Sequence, residues 1–251
     1  METIFGSIPI YFIFMGMSWG LGFELSKFFL IKKQLFQKGF YLLFVGTFLS
    51  SWIGSKLLFL LASIRGQAQD LFFDLQFWLG GGFVFFGGLL FSLLFVFLYC
   101  LVLKKFKLYA LYCCLPAICF SHALGRIGCF FSGCCFGKVC ALPWKVFQNG
   151  IYRHPVQLYE SFFLIILGGF FIKRVLQEQG EKLKERFFLN VGLYLLLYAL
   201  IRLFIEFFRG DKVRGIYFGI SSSQIISGLI ILIILAVIFK KKKFYSLFFG
   251  P

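Results

Sequence analysis

The chain has 251 residues, 60% of them hydrophobic, with a mean hydropathy of +0.90 and a formal net charge of +16. A soluble globule needs more polar cover than this composition supplies, so a water-soluble domain is excluded and a polytopic, all-α membrane protein is expected. The basic excess would suit nucleic acid in a soluble protein, but in a membrane protein it first reports orientation.

Apolar stretches long enough to cross a bilayer fall at about 8–26, 39–62, 83–103, 108–125, 155–172, 187–208 and 216–239. They predict about seven transmembrane helices in one bundle, residues 1–251 forming a single integral-membrane domain. The first basic residue is Lys27, so the charged start of a cleavable signal is missing and the first span is expected to stay. Seven spans put the termini on opposite sides. Lysines and arginines around Lys27–Lys38, Lys104–Lys107, Lys173–Arg186 and Lys240–Lys243 number sixteen, against eight in the alternate connections. The asymmetry predicts a multi-pass protein with its N-terminus outside and its C-terminus in the cytoplasm. Contact with anionic membrane lipids then accounts for the basic charge, and no nucleic-acid partner is expected.

In the second span, Lys56 is expected to snorkel to an end. Gly80, Gly81, Gly82, Gly87 and Gly88 cluster at the outer end of the third, where they suit close helix packing or the approach of a lipid to the backbone. After the fourth span comes Gly-Arg-Ile-Gly-Cys-Phe-Phe-Ser-Gly-Cys-Cys-Phe-Gly, residues 125–137. Read as an outer Gly-rich loop, it sets a fixed cation, Arg126, beside free N–H groups such as that of Gly128, the combination a phosphate needs.

His154-Pro155-Val156-Gln157 reads as a helix start for the fifth span. Glu160, more than a turn inside, needs a partner. The segment 173–186 reads as a cytoplasmic hairpin of mixed charge. In the sixth span Tyr194, Tyr198, Arg202, Glu206 and Arg209 recur at spacings of four, four, four and three, hence on one helix face. A charge at the bilayer centre costs about 2.5–3.5 kcal/mol on insertion scales, so Arg202 and Glu206 should face the interior, paired with each other or joined to Arg126 and Glu160 around an anion. The seventh span opens with Ser221-Ser222-Ser223-Gln224-Ile225-Ile226-Ser227, suited to capping or to donating toward the same cavity. Two arginines facing an outward cavity suit a phospholipid head whose tails stay in the bilayer.

All eight cysteines lie between Cys100 and Cys140. Cys129, Cys134, Cys135 and Cys140 belong to the outer loop, where disulfides can form. Paired Cys-x-x-Cys knuckles are absent, so ligand spacing argues only weakly for a metal, and neither a metal nor another cofactor is expected.

The order of these motifs resembles the bacterial prolipoprotein diacylglyceryl transferase family along nearly the whole chain. The matching pieces are Gly-Gly through Gly-Gly-Leu at 81–89, Gly-Arg-Ile-Gly-x-Phe-x-x-Gly at 125–133, His-Pro-x-Gln-Leu-Tyr-Glu at 154–160, Tyr-x-x-x-Arg-x-x-x-Glu-Phe-x-Arg at 198–209 and Ser-x-x-Gln-x-x-Ser at 221–227. The resemblance implies a seven-span enzyme of the bacterial inner membrane, active in lipoprotein biogenesis. Such an enzyme moves the diacylglyceryl group of phosphatidylglycerol to the lipobox cysteine thiol behind a prolipoprotein signal peptide, leaving a thioether. It implies that Arg126 holds the lipid head, that Arg202 is a second essential arginine positioned by Glu206, and that His154 takes part in catalysis. It further implies that Tyr198, Gln157, Glu160, Gly87, Gly88, Gly128 and Arg209 line the substrate cavity. Five departures stand out: Phe86 where His or Tyr is frequent, Cys129, Ser132 and Cys134 where the family motif has Asn, Asn and Glu, and Met15 in place of a Tyr of the first span. A thiol with pKa about 8.5 is partly ionised unaided, so transfer is expected despite Phe86. The second reading is a lipid-binding or thiol-redox paralogue without transfer chemistry.

Overall fold

The computed structural model describes residues 3–4, 8–62, 77, 85–211, 216–217 and 220–249. Helices dominate: α1 (Ile10–Lys32), α2 (Gly39–Ala62), α3 (Phe85–Phe97), α4 (Leu115–Phe131), α5 (Val156–Gln177), the short α6 (Glu181–Glu185), α7 (Phe187–Glu206) and α8 (Ser222–Phe249). A π-helical turn, Leu98–Val102, extends α3, and a 3₁₀ segment, Leu108–Cys114, leads into α4. Each expected span thus has its helix. Among the described residues four stretches are long and apolar enough to cross a membrane by themselves: Gly39–Leu61, Leu108–Phe131, Val156–Gln177 and Phe187–Glu206; Gly87–Val102 and Ser223–Val237 are shorter apolar helices. Leu42, Leu90, Phe162, Leu189 and Leu232 are among many large apolar side chains left exposed, as a protein solvated by lipid tails requires. The chain is a mostly helical, polytopic membrane protein.

Three small hairpins decorate the ends: β1 (Thr3–Ile4) with β2 (Ile8–Pro9), β3 (Val146–Gln148) with β4 (Ile151–Arg153), and β5 (Ile216–Tyr217) with β6 (Ile220–Ser221). In the β3–β4 pair Val146 faces Arg153 and Gln148 faces Ile151. Asn149 and Gly150 make the turn at φ of 53° and 79°, the left-handed pair that a two-residue hairpin demands.

The chain divides into two compact units, 34–111 and the remainder. In the first, α2 packs on α3. A Cβ on Gly87 would come within 2.2 Å of the Gly54 carbonyl oxygen, and one on Gly88 within 2.8 Å of Ser51 Oγ, so these glycines let two backbones touch. Gly80, Gly81 and Gly82 lie outside the described residues. Lys56 does not snorkel. It is fully buried, its ammonium donating to the Phe77 carbonyl and lying 4.5 Å from that ring's centre. A carbonyl and a π face replace water around the charge.

In the second unit α1 packs on α4, α4 on α5, α5 on α7 and α7 on α8. Gly125 and Gly128, expected in a loop, lie inside α4. A Cβ on Gly128 would meet Phe14 Cβ at 2.5 Å, so that glycine stays helical because it is the contact point with α1. At the opposite end from this contact, the mostly exposed mixed-charge segment holds one buried carboxylate. Glu178, only 4% exposed, receives Arg186 Nη1 and Asn190 Nδ2, each at 3.2 Å, with Arg174 Nη2 at 3.7 Å. Lys33 donates to the carbonyls of Leu176 and Glu178, tying the end of α1 to the end of α5 and the start of α7.

Candidate functional site

Glu160 is one turn into α5, 2% exposed, and its carboxylate is the meeting point of polar groups from α4 and α7. Arg126 Nη2, from α4, lies 2.9 Å from Oε2 and 3.0 Å from Oε1. Arg202 Nη1, from α7, lies 3.0 Å from Oε2. Tyr198 donates its hydroxyl to Oε1 at 3.1 Å. Nη2 of Arg202 donates to Ser223 Oγ of α8 at 3.0 Å and sits 3.4 Å from Glu206 Oε2. The helical spacings explain the assembly. Tyr198, Arg202 and Glu206 follow at i+4 intervals down one face of α7, and that face meets α5.

The site residues expected from sequence therefore divide. Arg126, Arg202, Tyr198, Glu160 and Glu206 come together. Glu206 contacts Arg202, yet the carboxylate joining both arginines is Glu160. His122 joins as well: its Nε2 is 3.8 Å from Glu160 Oε1 and its ring 5.4 Å from that of Tyr198. It precedes Arg126 by one helical turn, and that i, i+4 relation to an intramembrane arginine was its signal. Ser223 comes from the seryl run at the start of α8, where Ser221 and Gln224 form a reciprocal cap: Ser221 N–H to Gln224 Oε1 at 2.9 Å, Gln224 N–H to Ser221 Oγ at 3.2 Å.

The other candidates have different surroundings. His154 lies 3.3 Å from the Tyr159 hydroxyl through Nδ1 and packs edge-on against Phe208. Pro155, expected at the first position of the helix, occupies the cap just before α5. Gln157 does not cap the helix; its Nε2 donates to the Cys134 carbonyl at 2.7 Å. Arg209 is buried and donates twice to the Asp211 carboxylate, from Nε to Oδ1 at 2.9 Å and from Nη2 to Oδ2 at 2.6 Å, and its backbone bridges to Gly137. Burial of its own guanidinium opposes the Arg209 charge, while Asp211 and then Cys135 favour it, the balance leaving its proton more tightly held than usual. Gly87 and Gly88 belong to the other unit, in the α2–α3 contact.

Arg126 Nε is buried and donates to no acceptor among the described residues. An unsatisfied guanidinium N–H costs about 1–3 kcal/mol or more, and an anionic oxygen is the partner that would recover it. Cys129, in the last turn of α4, and Cys134 and Cys135, just beyond it, bring their sulfurs within 4.8 Å of one another, a proximity that the sequence spacing did not announce. Hydrogen bonds from Cys129 and Cys134, with Arg126 and Arg209 nearby, pull the Cys135 thiol below the usual thiol range despite its burial.

Residues 3–240 match the family model described as prolipoprotein diacylglyceryl transferase. The chain is 34% identical over 184 residues to a phosphatidylglycerol–prolipoprotein diacylglyceryl transferase of Clostridium tetani, covering 70% of each chain. It is 35% identical over 196 residues to the protein of that name from Pasteurella multocida, covering 76% of this chain and 69% of the relative. With the one from Streptococcus uberis it shares 33% over 195 residues, covering 74% and 72%.

Proposed function

The chain belongs to the prolipoprotein diacylglyceryl transferase family, and from that premise we infer how its residues carry out the transfer. It is a transferase of the multi-pass inner-membrane kind, moving diacylglyceryl from phosphatidylglycerol to the lipobox cysteine of a prolipoprotein. We assign the lipid head to Arg126 and Arg202, with the acyl tails left in the bilayer and the prolipoprotein's signal peptide entering from the same side. The single observation that carries this assignment is the pair of guanidinium groups gathered on buried Glu160, one of them with its Nε–H unspent.

The reaction needs a thiolate to attack the glyceryl carbon bonded to phosphate while that phosphate leaves with growing charge. Preorganised guanidinium donors stabilise the leaving oxygen most where water is excluded. Glu160 and Glu206 hold the two arginines in place, Tyr198 borders the cavity, and Ser223 fixes the rotamer of Arg202. His154, Gln157, Gly128 and Arg209 are assigned supporting roles in the cavity and its outer wall. All of residues 1–251 are taken to work as one membrane-embedded domain. The two-to-one Lys/Arg asymmetry supports an outer N-terminus and a cytoplasmic C-terminus.

The test is thioether formation on a lipobox peptide with phosphatidylglycerol in detergent. Arg126→Ala and Arg202→Ala should each lower the rate about 10²–10³-fold or more, the scale of losing one transition-state donor. Lysine at either position should restore little, because an ammonium lacks the planar fork. Wild-type rates in both alanine variants at equal protein level would sink the assignment.

A further inference from the structure

The thiol cluster beside Arg126 has no role in the chemistry described so far. Cys129, Cys134 and Cys135 carry free thiols with sulfurs mutually within 4.8 Å. The loop that gathers them is fastened on every side. Its amides at Ser132, Gly133 and Cys134 return to the carbonyls of Gly128, Phe130 and Cys129. Its carbonyls accept from three amide side chains: Phe130 from Gln148 at 3.1 Å, Gly133 from Asn149 at 3.2 Å and Cys134 from Gln157 at 2.7 Å. Cys135 holds a left-handed φ of 57°, a strained conformation for a residue with a side chain. Thiol–thiol hydrogen bonds are weak and do not account for that strain. A cation bound by all three sulfurs would.

Zinc–thiolate bonds of about 2.3 Å in a tetrahedron set sulfurs about 3.8 Å apart, within the observed spread. Three protein ligands and one open position is the pattern of catalytic rather than structural zinc. Arg126 precedes Cys129 by three residues on α4, so the cluster and the arginine occupy the same helix face, one turn apart.

We propose that Cys129, Cys134 and Cys135 hold a zinc ion whose open position takes the lipobox cysteine, a reading that rests on the transferase function above. A thiol bound to zinc is deprotonated outright, which supplies what Phe86 cannot. The substrate thiol releases its proton to water as its sulfur binds the metal. That sulfur's electron pair then attacks the glyceryl carbon. The carbon–oxygen bond breaks, and its electron pair leaves with glycerol phosphate at Arg126. The product sulfur is a neutral thioether, a weak zinc ligand, and departs. Nothing is oxidised or reduced.

The experiment uses the full chain purified in detergent and loaded with zinc. Elemental analysis should find one zinc per chain, falling at least tenfold in Cys129→Ser, Cys134→Ser and Cys135→Ser and staying at one in Cys140→Ser. Zinc-edge X-ray absorption of the wild type should show three sulfurs and one lighter donor, and four sulfurs once a lipobox peptide is added. A peptide with serine at the lipobox position should change nothing. Because a cysteine variant can misfold, cobalt(II) in the unaltered chain gives a second reading: its thiolate charge-transfer band should strengthen with the cysteine peptide alone. Absence of bound metal, a copper(I) centre indifferent to peptide, or zinc with an unchanged shell on peptide addition would each overturn the proposal. So would full transferase rate in the zinc-stripped enzyme, an outcome that leaves the transferase function intact. No thioether from phosphatidylglycerol, with the peptide sulfur still entering the zinc shell, would instead overturn the transferase reading and keep the metal site.

Discussion

Glu160 sits where two guanidinium groups would otherwise repel each other, and its charge decides their positions. Removing one member of a buried ion-paired group costs about 3–5 kcal/mol, because the remaining charges stay buried without a counterion. Glu160→Ala should therefore lower the thermal midpoint in detergent and reduce transfer at least a hundredfold. Glu160→Gln, which keeps shape and one acceptor, should retain more of both; equal loss in the two variants would mean that shape, not charge, matters there. Arg126, Arg202, Glu206 and Glu160 were legible in the sequence because charge inside a membrane span is expensive and needs a purpose. The sixth span was also legible as the source of a partner for Glu160; which side chain touches which was not. The i+4 spacing on α7 made Glu206 the obvious neighbour of Arg202, whereas the 3.0 Å contact to Glu160 spans 42 residues and depends on how α5 meets α7.

Elements were legible to a different depth. Hydropathy is a local property, so the seven apolar segments each reappear as a helix. Contacts between helices are not local, and glycines show the difference. At Gly87 sequence reading weighed packing against a lipid contact, and the geometry shows two backbones meeting, with Gly54 opposite. Gly87→Ala should push α2 and α3 apart and cost about 1–3 kcal/mol of stability, as overpacking does. Gly169→Ala, whose added methyl would have nothing within 4 Å, should be neutral or stabilising by about 0.5–1 kcal/mol. Matching thermal midpoints for the two variants would refute this ranking. The same limit hid Glu178. Residues 173–186 read as a solvated charged hairpin, because burial of Glu178 arises only when α1 and α7 bring Lys33 and Asn190 to it. Glu178→Ala should loosen those helix ends and lower the thermal midpoint while a distant Lys240→Ala does not.

For the whole molecule, orientation remains a matter of charge counting, and it is open to direct measurement. Cys140 is a partly exposed free thiol outside the three-cysteine cluster, so an impermeant maleimide applied to intact spheroplasts should label it. Labelling confined to lysed membranes would invert the orientation. The Glu160 cluster has a bearing on how such a protein is made. Arg126 leaves the ribosome first, on α4, and the carboxylate that neutralises it follows on the next long helix. Arg202 arrives last, carrying Glu206 one turn behind it on its own helix. Each cation thus reaches the translocon with an anion close at hand, and the two arginines and two glutamates sum to zero before any lipid binds. The chain can hand its helices to the bilayer as neutral pairs, and the arginines proposed above to hold the lipid head arrive beside their own carboxylates.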